Sequence, residues 1–229
     1  MLPLRDENPL RGTPYVTYGL IALNVLAFLY ELSLGRNVGL LFQQMGVIPY
    51  EFTHFTDIGP PTLFPWNLLT SMFLHGGWMH LLGNMLYLWI FGDNVELTFG
   101  HLRYLLFYLA SGLAAALTQI LVNWNSPVPM IGASGAISGV LGAYLVFFPG
   151  ARILTLVVFG FFWDIVAIPA FFLLGFWFIL QFFQGLLSLP FSHGGGVAWF
   201  AHVGGFVFGW LVARWYRRRL RRRYYDLFF

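Results

Sequence analysis

The segment "GASGAISGVLGAY" at residues 132–144 is built almost entirely from small side chains. The rest of the chain is rich in Phe, Leu and Trp, so this loss of bulk is local. Small residues in an apolar segment let helix backbones approach each other closely. They also leave room for another group to reach Ser134. Which interpretation holds depends on what the rest of the chain places beside this serine.

The composition is that of a membrane protein. Hydrophobic residues make up 59% of the chain and charged residues 9%, whereas soluble domains are about one quarter charged. The apolar blocks approach about 20 residues, enough to cross a hydrocarbon core about 30 Å thick. The polar N-terminus does not resemble a cleavable signal, so we expect the first block to be an uncleaved anchor. The sequence contains no Cys, which excludes disulfides and thiolate chemistry.

Six apolar blocks predict an all-α fold, a polytopic bundle of six transmembrane helices. The expected spans are 15–34, 78–91, 104–122, 134–148, 168–187 and 197–216. Residues 35–74 are too apolar for a solvated loop, so we expect this first loop to be partly helical and half-embedded in the membrane interface. Residues 152–169 are expected to be interfacial or re-entrant. The predicted divisions are a cytoplasmic segment 1–14, the membrane domain 15–216 and a basic cytoplasmic tail 217–229.

The arginines predict the orientation. An even number of spans places both termini on one side, and if that side is the cytoplasm, every basic residue except Arg36 faces it. In a bacterium the membrane would be the plasma membrane. The tail "RRRLRRR" at 217–223 is interpreted as an anchor attracted to anionic lipid headgroups. A nucleic-acid patch is the alternative, but we expect no nucleic-acid partner.

This orientation predicts the depth of Ser134. The fourth span runs inward over 15 residues, about 22 Å at ~1.5 Å per residue. Against a core about 30 Å thick, Ser134 then lies below the outer surface. The preceding "PVPMIGA" at 127–133 is not helical in pattern, and a hydroxyl there requires a water-filled cavity.

Polar side chains within spans are costly, and function is the first hypothesis for each. We single out four of them, His80, Asn84, Ser134 and His202. His80 and Asn84 are four residues apart and share a helix face. Small residues recur every four positions on the fourth span, from 135 to 143, and on the sixth, from 201 to 209. Packing of these two faces would bring His202 to Ser134.

The predicted chemistry is nucleophilic. A serine needs an adjacent base, for which His202 is the candidate. The Ser134 N–H at a helix start, the Asn84 amide and the His80 ring could stabilise an oxyanion. Asp93, Glu96 and Asp164 are expected on the cytoplasmic side, so we predict a dyad without a carboxylate. Water would complete acyl-enzyme hydrolysis, with no metal or cofactor.

Other interpretations of these residues remain open. "GASGAISG" alone is typical of helix packing, and it lacks the spacing of the hydrolase nucleophile elbow. A histidine within a span is often a structural hydrogen-bonding residue. Haem or metal binding is a further alternative, although compact ligand spacing such as HExxH is absent from the sequence. The histidines considered as ligands are His75, His80, His193 and His202, and His54, His101 and His193 are expected in solvated loops.

Four motifs together resemble the rhomboid family of intramembrane serine proteases. They are "HGGWMHLLGNM" at 75–85, "GDNVELTFG" at 92–100, "GASG" at 132–135 and "AHVGGFVFG" at 201–209. The resemblance covers about residues 15–216. It implies Ser134 as nucleophile, His202 as base, and His80 and Asn84 as oxyanion residues. It also implies that His75 is the family's loop histidine and that Glu96 and Gly100 are structural.

The sequence departs from the family pattern in two places. Members often have Trp-Arg in the first loop, where this chain has Trp66 and Asn67. Some members stack a tyrosine on the catalytic histidine, where this chain has Ser138. Our hypothesis is that Ser138 or an ordered water orients the His202 ring.

The expected function is endoproteolysis of transmembrane segments of other membrane proteins. Residues 188–200 are expected to form a lid, and the fifth span a lateral gate. The resemblance suggests a small residue before the cleaved bond. The alternatives are a catalytically inactive protein that binds transmembrane helices and, more distantly, a transporter or haem protein.

Overall fold

The protein is mostly helical, with one small sheet. The structure, a computed structural model, describes residues 1–8, 12–62, 64–191 and 196–228, with residues 191 and 221–228 described by backbone alone. In chain order the elements of this described part are β1 (Leu2–Asp6), α1 (Tyr15–Ser33), α2 (Val38–Met45), α3 (Pro49–His54), α4 (Asn67–Thr70), α5 (Trp78–Phe99), α6 (His101–Val122), α7 (Ser134–Phe147), β2 (Arg152–Phe159), β3 (Phe162–Pro169), α8 (Ala170–Ser188) and α9 (Trp199–Phe228).

The long helices correspond to the predicted spans. Helices α1, α5, α6, α7, α8 and α9 begin within three residues of the expected starts. Within the described residues, three helices are long and apolar enough to cross a membrane, namely α1, α6 and α8, and α7 is apolar but shorter. Helices α5 and α9 carry charged residues toward their C-terminal ends. The chain is therefore an integral membrane protein, while the count of six spans stays a prediction.

The sheet corrects the expectation of an all-α fold. Residues 152–169, expected to lie in the interface, form the antiparallel hairpin of β2 and β3. The hairpin turns at Gly160, whose φ of +60° favours glycine. β1 from the N-terminal segment pairs with β2, placing Asp6 opposite Ile153. The many β-branched and aromatic residues of 152–169 favour a strand, a preference that a search for helical spans overlooked.

Asp6 fastens the sheet to the helices. Its Oδ2 accepts hydrogen bonds of 2.7 Å from the Tyr144 hydroxyl and from Asn94 Nδ2. Burial raises the pKa of the Asp6 carboxyl above its ordinary value, although the hydrogen bond from Tyr144 opposes the shift. The N-terminal segment is thus docked against α5 and α7.

Glu96 connects α1 to the turn between α5 and α6. Its fully buried carboxylate accepts hydrogen bonds from the backbone N–H groups of Val16 and Thr17 at 2.9 and 2.7 Å. The Thr17 hydroxyl donates to it at 2.7 Å, and His101 Nδ1 lies 2.5 Å away. An anion at a helix N-terminus satisfies otherwise unpaired N–H groups and interacts favourably with the helix dipole. This contact is structural, as the resemblance implied.

The first loop is partly helical, as predicted. It contains α2, α3, α4 and two short 3-10 turns. Asn67, where the family often has Arg, is buried, and its Nδ2 donates to the Gly46 carbonyl at 3.4 Å. The asparagine therefore connects two parts of this loop.

Helices α7 and α9 pack with their backbones in direct contact. A Cβ on Gly209 would overlap the Gly139 carbonyl, and one on Gly205 would overlap the Gly135 carbonyl. The reciprocal position, Gly142, faces the Phe206 carbonyl in the same way. The two predicted stripes of small residues therefore pack on each other, and this expectation is confirmed.

Replacing Gly209 with Ala should destabilise the fold. The methyl group would collide with the Gly139 carbonyl, which cannot rotate away, and force the two helices apart. We expect a loss of about 1–3 kcal/mol in unfolding free energy, the usual cost of overpacking. Reversible unfolding in mixed micelles measures it.

Gly19→Ala is the matched control, since a Cβ on Gly19 in α1 would meet open space. We expect it to leave stability unchanged or raise it by up to about 1 kcal/mol through better helix propensity. Equal destabilisation by both substitutions would contradict the close packing of α7 and α9.

Candidate active site

Ser134 is the first residue of α7, and the loop before it fixes where the helix begins. The Gly132 N–H donates to the Ser71 carbonyl at 2.8 Å, and Met130 pairs with Val47 through two backbone hydrogen bonds. Gly132 has a φ of +123°, in the region that favours glycine. A Cβ there would also lie 2.7 Å from the His80 ring, so Gly132 is what lets that ring approach.

Ser134 and His202 are in hydrogen-bonding contact. Ser134 Oγ lies 2.8 Å from His202 Nε2, although the residues are 68 positions apart in the chain. His202 is in the first turn of α9 and is buried, with 8% of its surface exposed. A serine hydroxyl that donates to a neutral imidazole is the arrangement that nucleophile activation requires. The packing of α7 on α9 creates it.

Gln181 of α8 holds the other side of the His202 ring. His202 Nδ1 lies 2.6 Å from Gln181 Oε1, and Gln181 is itself buried. If Nε2 accepts the serine proton, Nδ1 carries the ring proton and donates it to the amide oxygen. The Trp177 ring lies alongside His202 with a centroid separation of 5.9 Å. Two side chains of α8 therefore set the orientation of the imidazole.

The hypothesis that Ser138 orients His202 is wrong. The Ser138 hydroxyl donates to the Ser134 carbonyl at 2.6 Å, four residues back on its own helix. That bond is the usual one for a serine inside an apolar helix, because a buried hydroxyl needs an acceptor. Sequence analysis missed Gln181, although a glutamine inside an apolar span is the same kind of signal that singled out Asn84.

His80 lies beside the serine in a defined tautomer. The Gly76 N–H donates to His80 Nδ1 at 3.3 Å, which makes Nδ1 an acceptor. A neutral ring then carries its proton on Nε2. That nitrogen abuts Gly132, at the position where a Cβ would also come within 3.7 Å of Ser134 Oγ. His80 therefore presents an N–H donor on the same side of Gly132 as the hydroxyl, and both residues line one cavity.

Asn84 lies one turn after His80 on α5 and is buried. Its Nδ2 is enclosed and has no hydrogen-bond partner among the described residues. Unpaired amide donors cost about 1–3 kcal/mol in a protein interior, so such a group calls for an explanation. Asn84 lines the same cavity as Ser134. A ligand oxygen in that cavity is the partner that would satisfy it.

All four predicted site residues line one cavity of about 790 Å³. It lies between α5, α7, α8, α9 and the loop before α7, and Met79, Tyr87, Trp177 and Ile131 form part of its apolar wall. A space of this size accommodates an extended stretch of peptide. The four polar side chains are thus part of a wall that is otherwise mostly apolar.

His75 and Glu31 form a second buried polar contact behind the cavity. The backbone N–H of His75 donates to the Glu31 carboxylate at 3.0 Å. The His75 and His80 rings meet edge to face, with their centroids 5.1 Å apart. Neither ring nitrogen of His75 has a partner among the described residues. The partner Glu31 in α1 was not expected. The contact joins α1 to the segment that carries His80.

Other predicted features lie apart from this site or outside the described residues. His54 stacks on Tyr50 in the first loop, and His101 contacts Glu96. Among the described residues, no three His, Asp or Glu side chains are grouped to hold a metal. Residues 192–195 of the expected lid, which include His193, lie outside the described part of the chain.

Comparison with known proteins gives a consistent family. The family model for the rhomboid domain matches residues 64–219. Rhomboid protease GluP of Bacillus subtilis (strain 168) is 38% identical over 135 residues, which are 58% of this chain and 25% of that protein. RHOMBOID-like protein 2 of Arabidopsis thaliana is 36% identical over 173 residues, or 69% of this chain and 49% of that protein.

The chain spans between a quarter and a half of the length of these two curated relatives. The match to the family model nevertheless covers most of the chain and includes the segments that carry His80, Asn84, Ser134 and His202. The chain belongs to the rhomboid family.

Proposed function

We propose that the protein is an intramembrane serine endopeptidase that cleaves transmembrane segments of other membrane proteins. The observation that carries this proposal is the 2.8 Å contact between Ser134 Oγ and His202 Nε2 inside a cavity large enough for a peptide. The relative named Rhomboid protease GluP supports the same chemistry. No cofactor is needed, because the nucleophile and base are side chains and water is the second substrate.

The reaction follows from the two contacts of His202. As Ser134 Oγ attacks the peptide carbonyl carbon, its proton passes to His202 Nε2. The imidazolium then gives that proton to the leaving amine as the peptide C–N bond breaks, which leaves an acyl-serine ester. His202 takes a proton from water, whose oxygen attacks the ester. The proton returns to Ser134 Oγ as the acid product leaves.

Three donors are proposed to stabilise the oxyanion of each tetrahedral intermediate. They are the Ser134 N–H in the first turn of α7, Asn84 Nδ2 and His80 Nε2–H. The unpartnered state of Asn84 Nδ2 supports this role, because a donor without a partner among the described residues is free to bond the oxyanion. A hydrogen bond that strengthens as the oxygen becomes charged lowers the barrier rather than merely improving substrate binding.

Gln181 is proposed as a positioning residue that replaces the carboxylate of a serine-protease triad. It holds His202 Nδ1–H and thereby keeps Nε2 free to accept the serine proton. An amide is neutral, so it performs this task in a buried site without the cost of an unpaired charge. The proposed mechanism therefore requires no carboxylate beside His202.

The proposed topology has six spans, α1, α5, α6, α7, α8 and α9, with both termini cytoplasmic. The first loop then lies half-embedded in the outer leaflet. This arrangement keeps the predicted divisions 1–14, 15–216 and 217–229. Its support is the charge distribution, since the arginines gather at the ends of α7 and α9 that are remote from Ser134.

Helix α8 is the proposed lateral gate. It carries many exposed bulky residues, and only 22% of its 18-residue apolar stretch is buried. A helix with so little burial can be displaced at lower cost than α7, which is almost wholly enclosed. Because Gln181 and Trp177 belong to α8, substrate entry and the orientation of His202 are mechanically connected.

Labelling by a fluorophosphonate probe in detergent tests the dyad. We expect Ser134→Ala to abolish labelling and His202→Ala to slow it by at least about 10³-fold, because the hydroxyl then has no base. Ser138→Ala is the matched control, since Ser138 is on the same helix and bonds only a backbone carbonyl. It should label like the unaltered protein.

Cleavage of a model transmembrane substrate accompanies the labelling. Loss of cleavage in Ser134→Ala and His202→Ala, with retention in Ser138→Ala, is the expected pattern. If the folded, unaltered protein neither labels nor cleaves, the proposal fails in favour of a member of the family that binds transmembrane helices without proteolysis.

Substitutions at position 181 test the positioning role. Gln181→Leu removes the acceptor at similar volume and should slow labelling by about 100-fold, within the range contributed by general bases. Gln181→Glu retains an acceptor for Nδ1–H and should recover most of the rate. Labelling kinetics on protein of verified folding measure both.

Gln184→Leu is the matched control, because Gln184 lies three residues further along the same helix and is exposed. It should leave the labelling rate unchanged. A result in which Gln181→Leu and Gln181→Glu are equally slow would assign Gln181 a packing role only.

A further inference from the structure

A second cavity lies at the opposite end of α7 and α9 from the dyad. This groove of about 400 Å³ is lined by Leu145, Val146, Pro149, Phe171, Trp210, Arg214, Arg217 and Arg218. Arg214 follows His202 by 12 residues in α9, which is about 18 Å along a helix. The groove is therefore separate from the catalytic cavity and needs its own explanation.

Two of its arginines are held in place by the groove itself. The Arg214 guanidinium lies over the Trp210 ring, 4.9 Å from its centroid. Arg217 Nη1 donates to the Val146 carbonyl at 2.7 Å, in the last turn of α7, where helix carbonyls lack partners within the helix. Each guanidinium still has further N–H donors, because arginine offers five. Part of the entropy cost of binding an anion has thus been met in the resting fold.

The positive charge of the rim is uncompensated in the part of the chain that the structure describes. There, none of Arg214, Arg217 and Arg218 forms an ion pair with a carboxylate. The three residues lie within about one and a half turns of one helix, so their charges repel each other. A bound anion would relieve this repulsion, and guanidinium groups match the geometry of phosphate oxygens in particular.

The walls of the groove indicate what is attached to the anion. They are apolar and come from the last turn of α7, the first turn of α8 and the Trp210 ring. Phe171 is exposed in the first turn of α8, and this helix is apolar and long enough to cross a membrane. The rim of arginines therefore lies where hydrocarbon gives way to headgroups. A ligand that fits has an anionic phosphate and apolar chains.

We propose that this groove is a binding site for an anionic phospholipid, with the phosphodiester held by Arg214, Arg217 and Arg218 and an acyl chain against Val146 and Phe171. Basic pockets between helices on the cytoplasmic side of membranes have this recognition chemistry. The site is more specific than a general attraction of the basic tail to the membrane, because its cations are oriented and share one cavity.

Native mass spectrometry of the delipidated protein tests the site. Phosphatidylglycerol and phosphatidylcholine with identical acyl chains are titrated in parallel, so that only the headgroup charge differs. We expect phosphatidylglycerol to bind more tightly, and the double variant Arg214→Gln/Arg218→Gln to bind it at least about tenfold more weakly, through loss of charge-assisted hydrogen bonds.

Arg219→Gln is the matched control. Arg219 is adjacent in sequence and carries the same charge, but it lies over the Trp215 ring at 5.4 Å and is not part of the groove. It should bind phosphatidylglycerol like the unaltered protein. If the double variant does not fold, Arg218→Gln alone replaces it. Arg214 and Arg217 contact a ring and a backbone carbonyl of the fold, and among the described residues Arg218 shows no contact of this kind.

Three results would overturn the proposal. The first is equal binding of the two lipids. The second is an equal loss of phosphatidylglycerol binding in Arg219→Gln, which would mean a diffuse attraction. The third is displacement of phosphatidylglycerol by an oligonucleotide at equal charge concentration, which would indicate a nucleic-acid surface. Fluorophosphonate labelling of the same variants separates this site from the proposed proteolysis, because the groove variants should label normally.

Discussion

The contact between the backbones of α7 and α9 is the constraint on which the site depends. Ser134 begins one helix and His202 lies in the first turn of the other, so their separation is set by how closely the two axes approach. Gly205 and Gly209 rest directly on carbonyl groups of α7, where a methyl group would not fit. Without a hydrophobic effect between helices in lipid, close packing is itself the driving force. The small residues that stabilise the fold therefore also determine the distance between Ser134 and His202.

The rest of the site is assembled around this fixed pair from elements held by other means. Helix α5 supplies His80 and Asn84, and Glu96 at its far end connects it to α1. Helix α8 supplies Gln181 but is weakly buried. Ser134, His80 and Asn84 thus belong to helices that are held by many contacts, while Gln181 is on a weakly buried one. If α8 is the gate proposed above, that difference would let a substrate enter without loss of the geometry among Ser134, His80 and Asn84.

Much of this could be predicted from the sequence, because membrane helices have a strong compositional signal and intramembrane polar residues are rare. Helix starts, the paired stripes and the meeting of Ser134 with His202 followed from length, period and small residues. Two features did not. The hairpin of β2 and β3 has an apolar composition that fits either an interfacial segment or a strand, and its pairing with β1 is a contact between distant segments. Gln181 was one polar residue among bulky aromatics, and only the tertiary structure shows that it faces His202 rather than lipid.

The same two helices leave open space at both of their ends. Between the ends their backbones are in contact, and a Cβ on Gly205 or Gly209 would overlap a carbonyl of α7, so little room remains there for a ligand. At one end the helices meet α5 and the loop before α7, and the space that opens is lined by Ser134 and His202. At the other end α9 extends past the last turn of α7, and the space that opens is bordered by arginines. The proposed peptide and phosphate sites therefore lie at the two ends of this helix pair, where the packing leaves room for them.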